Sequence, residues 1–152
     1  MKYITMICGH NSGRSQMSQA IFNLLKKLNP KVDSEYEAIS WGTGIKENSG
    51  VNPKIIEPLK EIGIDVSDSK VYFPKIINHL FIQERLKDVV KAFTMGCMDK
   101  ACELPAKMQI TSNDIIDWDL EDPAKDETDV TAVRGKIIGK TLELIEELNK
   151  KI

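Results

Sequence analysis

The chain has 152 residues, 41% of them hydrophobic, with a net charge of −2 and a pI near 5.7. That length fits one domain, residues 1–152, around one core, and the slight negative charge excludes the basic footprint of a nucleic-acid or anionic-lipid binder. No apolar run approaches the length of a membrane span and residues 1–7, with a single Lys, lack a signal-peptide pattern, so a cytoplasmic protein with no membrane attachment is expected.

In chain order, residues 3–7 form an apolar run that predicts a strand. The segment Cys8-Gly9-His10-Asn11-Ser12-Gly13-Arg14-Ser15 follows, and an amphipathic helix is expected from about Ser15, with Met17, Ala20, Ile21, Leu24, Leu25 and Leu28 on one face and Asn29-Pro30 as its stop. A loop that runs from a strand into a helix N-terminus presents backbone N–H groups and the positive end of the helix dipole. Such a cradle holds a tetrahedral oxyanion and also stabilises a thiolate, so Cys8 is the candidate nucleophile and residues 9–14 are the candidate oxyanion loop. Gly9 and Gly13 are expected to supply the positive φ angles of the nest, Arg14 to clamp two oxygens with its planar fork, and the Ser15 hydroxyl to donate to the Cys8 sulfur. No Gly-Lys-Ser/Thr ends the segment, which excludes a Walker-type phosphate loop.

A second strand is expected over residues 35–41, then a turn at Gly42-Thr43-Gly44, a helix opened by Asn52-Pro53 through Ile56, Leu59 and Ile62, and a stop at Gly63. Pro74 is read as the start of a further helix with Ile76, Ile77, Leu80 and Phe81 on one face, while Tyr72 and Phe73 are assigned to core or rim packing. Strands are expected over residues 89–95 and 115–118. The last helix begins near Asp129 and is apolar at Val130, Val133, Ile137, Ile138, Leu142, Ile145 and Leu148. Strands alternating with helices predict an α/β fold: a parallel sheet covered on both faces, with ligands at the carboxyl ends of the strands.

Three cysteines in a reducing compartment point to reactive thiols rather than structural bridges. Cys97 and Cys102 follow the third predicted strand, so Cys97 shares a rim with Cys8. Five positions apart on a helix means roughly 140° of rotation and about 8 to 9 Å between Cα atoms, beyond disulfide reach, so bridging the pair requires unwinding between Gly96 and Pro105. Together the three thiols suggest a relay that moves a disulfide from Cys8 to the surface. Two other readings stand beside it: unrelated thiols, or a metal site, for which His10 and His79 lack ligand spacing. The acid that would protonate a leaving oxygen lies among Asp114, Asp117, Asp119, Glu121, Asp122, Asp126, Glu127 and Asp129. Physics alone does not select one, and Asp122 is favoured because Pro123 fixes the chain beside it.

The residues quoted above, with Ser40-Trp41-Gly42-Thr43, Glu61-Ile62-Gly63-Ile64-Asp65 and Trp118-Asp119-Leu120-Glu121-Asp122-Pro123-Ala124, resemble the thioredoxin-coupled arsenate reductases built on the low-molecular-weight protein tyrosine phosphatase fold. The resemblance spans nearly the whole chain and is weakest over residues 71–87. It implies a three-layer αβα fold with a four-stranded parallel sheet in flavodoxin-like order. It further implies Cys8 as nucleophile, Arg14 and the loop amides as transition-state clamp, Ser15 as thiolate stabiliser and Asp122 as general acid. In the reductase branch Cys97 would displace arsenite to leave a Cys8–Cys97 disulfide, and Cys102 would then form a Cys97–Cys102 disulfide for reduction by thioredoxin. No cofactor or metal is expected, thioredoxin being an external reductant, and a monomer is expected. The phosphatase branch lacks the Cys97/Cys102 pair and carries aromatic residues after its Asp-Pro, where this chain has Ala124-Lys125. Gln19 stands where relatives with a potassium site carry an acid. Phosphomonoester hydrolysis through Cys8, and a non-catalytic redox sensor that binds an oxyanion, are the competing readings.

Overall fold

A computed structural model describes residues 1–45, 50–96 and 108–152. Four parallel strands, β1 (Lys2–Cys8), β2 (Tyr36–Gly42), β3 (Val89–Thr94) and β4 (Ile115–Asp117), form one sheet in the order β2-β1-β3-β4. The central strand β1 is buried on both faces, and its side chains alternate accordingly. Ile4, Met6 and Cys8 point into one apolar cluster, while Ile7 belongs to the cluster on the opposite face. The period of two therefore delivers Cys8 to the face covered by α1 (Arg14–Leu25) and the C-terminal helix, directly above the strand end.

The first cluster is built from Ile4, Met6, Met17, Ile21, Phe22, Phe93 and Met95 with Val133, Ile137, Leu144 and Leu148 of the last helix. The second packs Ile7, Ile39, Trp41, Ile82, Leu86 and Ala92 on the other side. This is the α/β architecture with helices on both faces that the strand–helix alternation implies. None of the described helices is long and apolar enough to cross a membrane.

Asn29-Pro30 stops one helix and starts another. A 3-10 turn, Lys26–Leu28, ends α1, and α2 (Pro30–Glu35) opens at once because the Asn29 side chain accepts from the N–H groups of Lys31 and Val32 while Pro30 fills the first helical position. Asn52 caps in the same way ahead of a 3-10 turn, Pro53–Ile55, that leads into α3 (Ile56–Lys60), and Gly63, at φ +86°, ends that unit in the left-handed region. The last helix, α5 (Val130–Lys150), begins where expected, with the Asp129 carboxylate accepting from the Ala132 N–H.

Three expectations fail. Leu28, expected on the apolar face of the first helix, falls in the 3-10 turn beyond it and is exposed. No helix begins at Pro74: the backbone there is held extended, because Gln16 Nε2 donates to the Phe73 carbonyl, the Lys75 N–H to Asn11 Oδ1, and the Gly42 N–H to the Lys75 carbonyl. Gly42 and Ile76 form a parallel bridge, only the single turn α4 (Leu80–Gln83) is helical, and Ile76 and Leu80 are exposed. In α5 the expected core residue Leu142 faces solvent, and the buried stripe runs instead through the polar Thr141.

Candidate active site

The loop between β1 and α1 closes around the Cys8 sulfur. The Asn11 backbone N–H donates to Cys8 Sγ at 3.2 Å, and Ser15 Oγ lies 2.8 Å from the same sulfur. Both donors belong to the turn entering α1, whose first turn holds no acidic residue, so the positive end of the helix dipole faces the thiol unopposed. Cys8 itself is 4% exposed, at the bottom of the loop.

The direction of the Ser15 hydroxyl is fixed by a chain of partners. Asn11 Oδ1 accepts from the Lys75 N–H and from Gln16 Nε2, which leaves the amide NH2 of Asn11 pointing the other way. That NH2 donates to Ser15 Oγ at 2.7 Å and to Ser40 Oγ at 2.9 Å, while Ser40 donates onward to Gln19 Oε1. With one lone pair of Ser15 Oγ engaged by Asn11, its hydroxyl proton is available to the sulfur, and toward a Cys8 thiolate, which has no proton, Ser15 can only donate.

Asn11, not a glycine, supplies the left-handed residue of the loop, at φ +51°, whereas Gly9 and Gly13 do not have positive φ. Asn is among the few side chains that tolerate this region, and here its amide is held on both sides. The glycine the loop does require is Gly42 on the neighbouring strand: a Cβ there would stand 2.7 Å from the Gly9 carbonyl oxygen and 2.9 Å from the Asn11 nitrogen. Loop and strand end are further tied by Thr43 N–H to the Cys8 carbonyl and Gly44 N–H to the Gly9 carbonyl. Sequence reasoning missed this role of Gly42, whose signal was a glycine at the carboxyl end of a strand.

Arg14 is anchored by one arm. Its Nη1 donates to the Met95 carbonyl at 2.6 Å and the Leu120 carbonyl at 3.1 Å, while Nη2 stands 3.8 Å from Asp122 Oδ2. Gly96, at φ +95°, leaves room for that guanidinium, since a Cβ on it would come within 3.2 Å of Arg14 Nη1. Asp122 is held in turn: the Ala124 N–H donates to its Oδ1, Thr128 Oγ1 donates to its carbonyl, and Pro123 is buried against Gly13. Of the acids in this region, Asp122 is the one ion-paired to Arg14 among the described residues, which selects the candidate that sequence chemistry alone did not.

Asp117, unassigned from sequence, is structural, its Oδ1 accepting from Thr94 Oγ1 and from the N–H groups of Gly96 and Asp119. His10 is exposed, with Nδ1 at 2.8 Å from the Gly44 carbonyl oxygen, and the Ser12 carbonyl accepts from the Asn52 N–H. Cys97 and Cys102 lie outside the described residues. Among those described, no group of three His, Cys, Asp or Glu side chains could hold a metal ion.

A thiol in a donor-lined loop, with a guanidinium and a carboxyl at its mouth, is suited to attack a tetrahedral oxyanion, neutralise its charge and protonate the departing oxygen. Comparison with known proteins agrees. Residues 3–152 match the sequence model of the family described as low molecular weight phosphotyrosine protein phosphatase. An arsenate reductase of Staphylococcus xylosus is 32% identical over 137 residues, covering 90% of both chains. A solved structure described as an arsenate reductase in the phosphate binding state superposes with a TM-score of 0.71 at 27% identity, covering 97% of this chain and 98% of that one. The thioredoxin-dependent arsenate reductase Cg_ArsC1' of Corynebacterium glutamicum gives a TM-score of 0.70 at 26% identity; it covers all of this chain but only 64% of its own.

Proposed function

The chain belongs to the low molecular weight phosphotyrosine protein phosphatase family, and from that premise we propose that it is an arsenate reductase of this fold, recycled by thioredoxin. The observation that carries the reading is the Cys8 sulfur receiving the Asn11 N–H and facing the Ser15 hydroxyl in the loop whose Arg14 pairs with Asp122. Arsenate reductases among its relatives and structural neighbours support the substrate, and the second and third cysteines of the sequence support the relay.

Cys8 thiolate attacks arsenic and forms the S–As bond, while one As–O bond breaks and a hydroxyl of hydrogen arsenate leaves as water with the proton of Asp122. Arg14 and the loop amides balance the charge on the remaining oxygens. Cys97 thiolate then attacks Cys8 Sγ, and the S–As bonding pair passes to arsenic, which departs as arsenite, reduced by two electrons. Cys102 thiolate attacks Cys97 in turn, frees Cys8 and leaves a Cys97–Cys102 disulfide for the dithiol of thioredoxin.

Arsenite production from arsenate in the presence of thioredoxin, its reductase and NADPH tests the proposal. Turnover is expected to require all three cysteines, with Cys102→Ser limited to one turnover. A second reading, phosphomonoester hydrolysis, needs only Cys8, Arg14 and Asp122. Absence of arsenite, with p-nitrophenyl phosphate turnover undiminished in a Cys97→Ser/Cys102→Ser variant, would establish hydrolysis and overturn the reductase.

A further inference from the structure

A cleft of about 500 Å³ lies between α1, the outer edge of β2 and residues 70–81. That volume lies within the range of small-molecule sites, about 300–1,000 Å³. Its lining is unlike ordinary surface. Tyr72, Phe73 and Phe81 line it, and Val71 and Phe81 remain exposed at its mouth, 54% and 37% respectively. Asn23 closes the strand edge, its side chain donating to the Ala38 carbonyl and accepting the Ala38 N–H, so the edge offers no pairing there to another strand.

Lys75 is the unusual member. It is 4% exposed, lines the cleft, and has no ion pair among the described residues. Its ammonium donates to the Phe73 carbonyl at 2.9 Å and lies 4.4 Å from the centre of the Phe73 ring. An ammonium carries three N–H groups, and one carbonyl with one ring face leaves a buried positive charge with no ion-paired carboxylate among the described residues. Burial lowers its pKa to about 8.

We propose that this cleft is a second ligand site, and that it takes a small aromatic monocarboxylate whose carboxylate meets Lys75 and whose ring lies among Tyr72, Phe73 and Phe81. One buried ammonium matches one negative charge, and the aromatic lining matches a ring. Glu37 on β2 also lines the cleft, without an ion pair to Lys75. His79 lines it too, its Nδ1 accepting from the Phe81 N–H. The site adjoins the catalytic loop through two ties, the Lys75 N–H on Asn11 Oδ1 and Gln16 Nε2 on the Phe73 carbonyl.

Calorimetric titration with 3-phenylpropionate, in inorganic phosphate sufficient to fill the Cys8 loop, tests the proposal. Saturable binding is expected, with at least tenfold weaker binding of the neutral 3-phenylpropanamide and at least a tenfold loss of 3-phenylpropionate affinity in Lys75→Met. At pH 8, in buffers of different ionisation heat, binding to Lys75 is expected to take up a fraction of a proton. The other titratable groups facing the ligand are Lys70 and His79, Glu37, and Tyr72, whose pKa is raised by burial and by Asp65. Phe81→Ser, a change at the mouth, is expected to weaken binding while leaving proton uptake in place. Binding that phosphate abolishes, that is equal for acid and amide, or that Lys75→Met leaves unchanged would overturn the site.

Discussion

Arg14 and Asp122 face each other across the mouth of the Cys8 loop with 3.8 Å between Nη2 and Oδ2, the arginine held from behind by the carbonyls of Met95 and Leu120. Because Nη1 is already committed, Nη2 and Nε are the arms left for a substrate oxyanion. In the proposed reaction the carboxyl beside them gives its proton to the leaving oxygen. Asp122→Asn is therefore expected to lower kcat by about 10²–10⁴-fold while phosphate, as a competitive inhibitor, binds at least as tightly. Steady-state kinetics with and without phosphate separates the two effects, and a rise in KM at constant kcat would contradict the acid role.

The run from Gln19 through Ser40 and Asn11 to Ser15 aims one hydroxyl at one sulfur. A hydrogen bond to a charged group is worth about 1.5–3 kcal/mol, so Ser15→Ala is expected to slow alkylation of Cys8 by iodoacetamide at pH 7 roughly tenfold or more. Ser40→Ala removes the acceptor two steps away and should slow it less. Equal effects of the two changes would mean that Ser40 acts on the sulfur by a route other than Ser15.

Three glycines near the loop differ in what a methyl group would meet. At Gly42 it would strike the backbone of Gly9 and Asn11 below 3 Å, at Gly13 it would touch Pro123 at an ordinary 3.6 Å, and at Gly9 it would meet nothing within 4 Å. Gly42→Ala is expected to cost about 1–3 kcal/mol of stability through overpacking and to abolish phosphate binding. Gly9→Ala should retain both, as denaturant melts and phosphate titration would show.

The loop and its flanking elements were legible because their signals are local: an apolar run, a thiol, an arginine six residues on, then a helical period. What escaped was held by distant partners. The apolar spacing at Ile76, Ile77, Leu80 and Phe81 imitates a helix, yet Gln16, Asn11 and Gly42, remote in sequence, hold that backbone extended. The positive φ fell on Asn11 rather than Gly9 or Gly13 because side-chain bonds to Lys75, Gln16, Ser15 and Ser40 hold the asparagine there. In α5 the inward position belongs to the polar Thr141, so a pattern of apolar letters chose its neighbour Leu142, about 100° further round the helix.

Lys91, 6% exposed on β3, depends on Glu147 of α5, with 2.5 Å between Nζ and Oε1. The hydrogen bond from Lys91 holds the Glu147 carboxyl below its usual range. A depressed carboxyl contributes stability above its unfolded pKa and loses it as pH falls through the folded value. Glu147→Gln is expected to destabilise by about 1–2 kcal/mol at pH 7, discounted for the half-exposed carboxyl, and the difference from the parent chain should shrink below about pH 4. A gap that stays constant down to pH 2 would rule out the charge as its source.

Lys75 runs the opposite way. Burial lowers its folded pKa to about 8 from an ordinary value of 10.5, so between those limits the unfolded chain binds more protons than the folded one, and this residue's contribution makes stability rise with pH. Below pH 8 both states carry the charge and the folded one bears its desolvation, a penalty of roughly 3 kcal/mol from the size of the shift. Lys75→Met, which keeps the backbone N–H to Asn11 and fills similar space, is expected to stabilise the protein at pH 7 and to lose most of that advantage by pH 10.5. Urea melts of both proteins across pH 7–10.5 give the difference directly. A Lys75→Met variant less stable at pH 7 would mean that the ammonium's contacts with the Phe73 carbonyl and ring outweigh its burial.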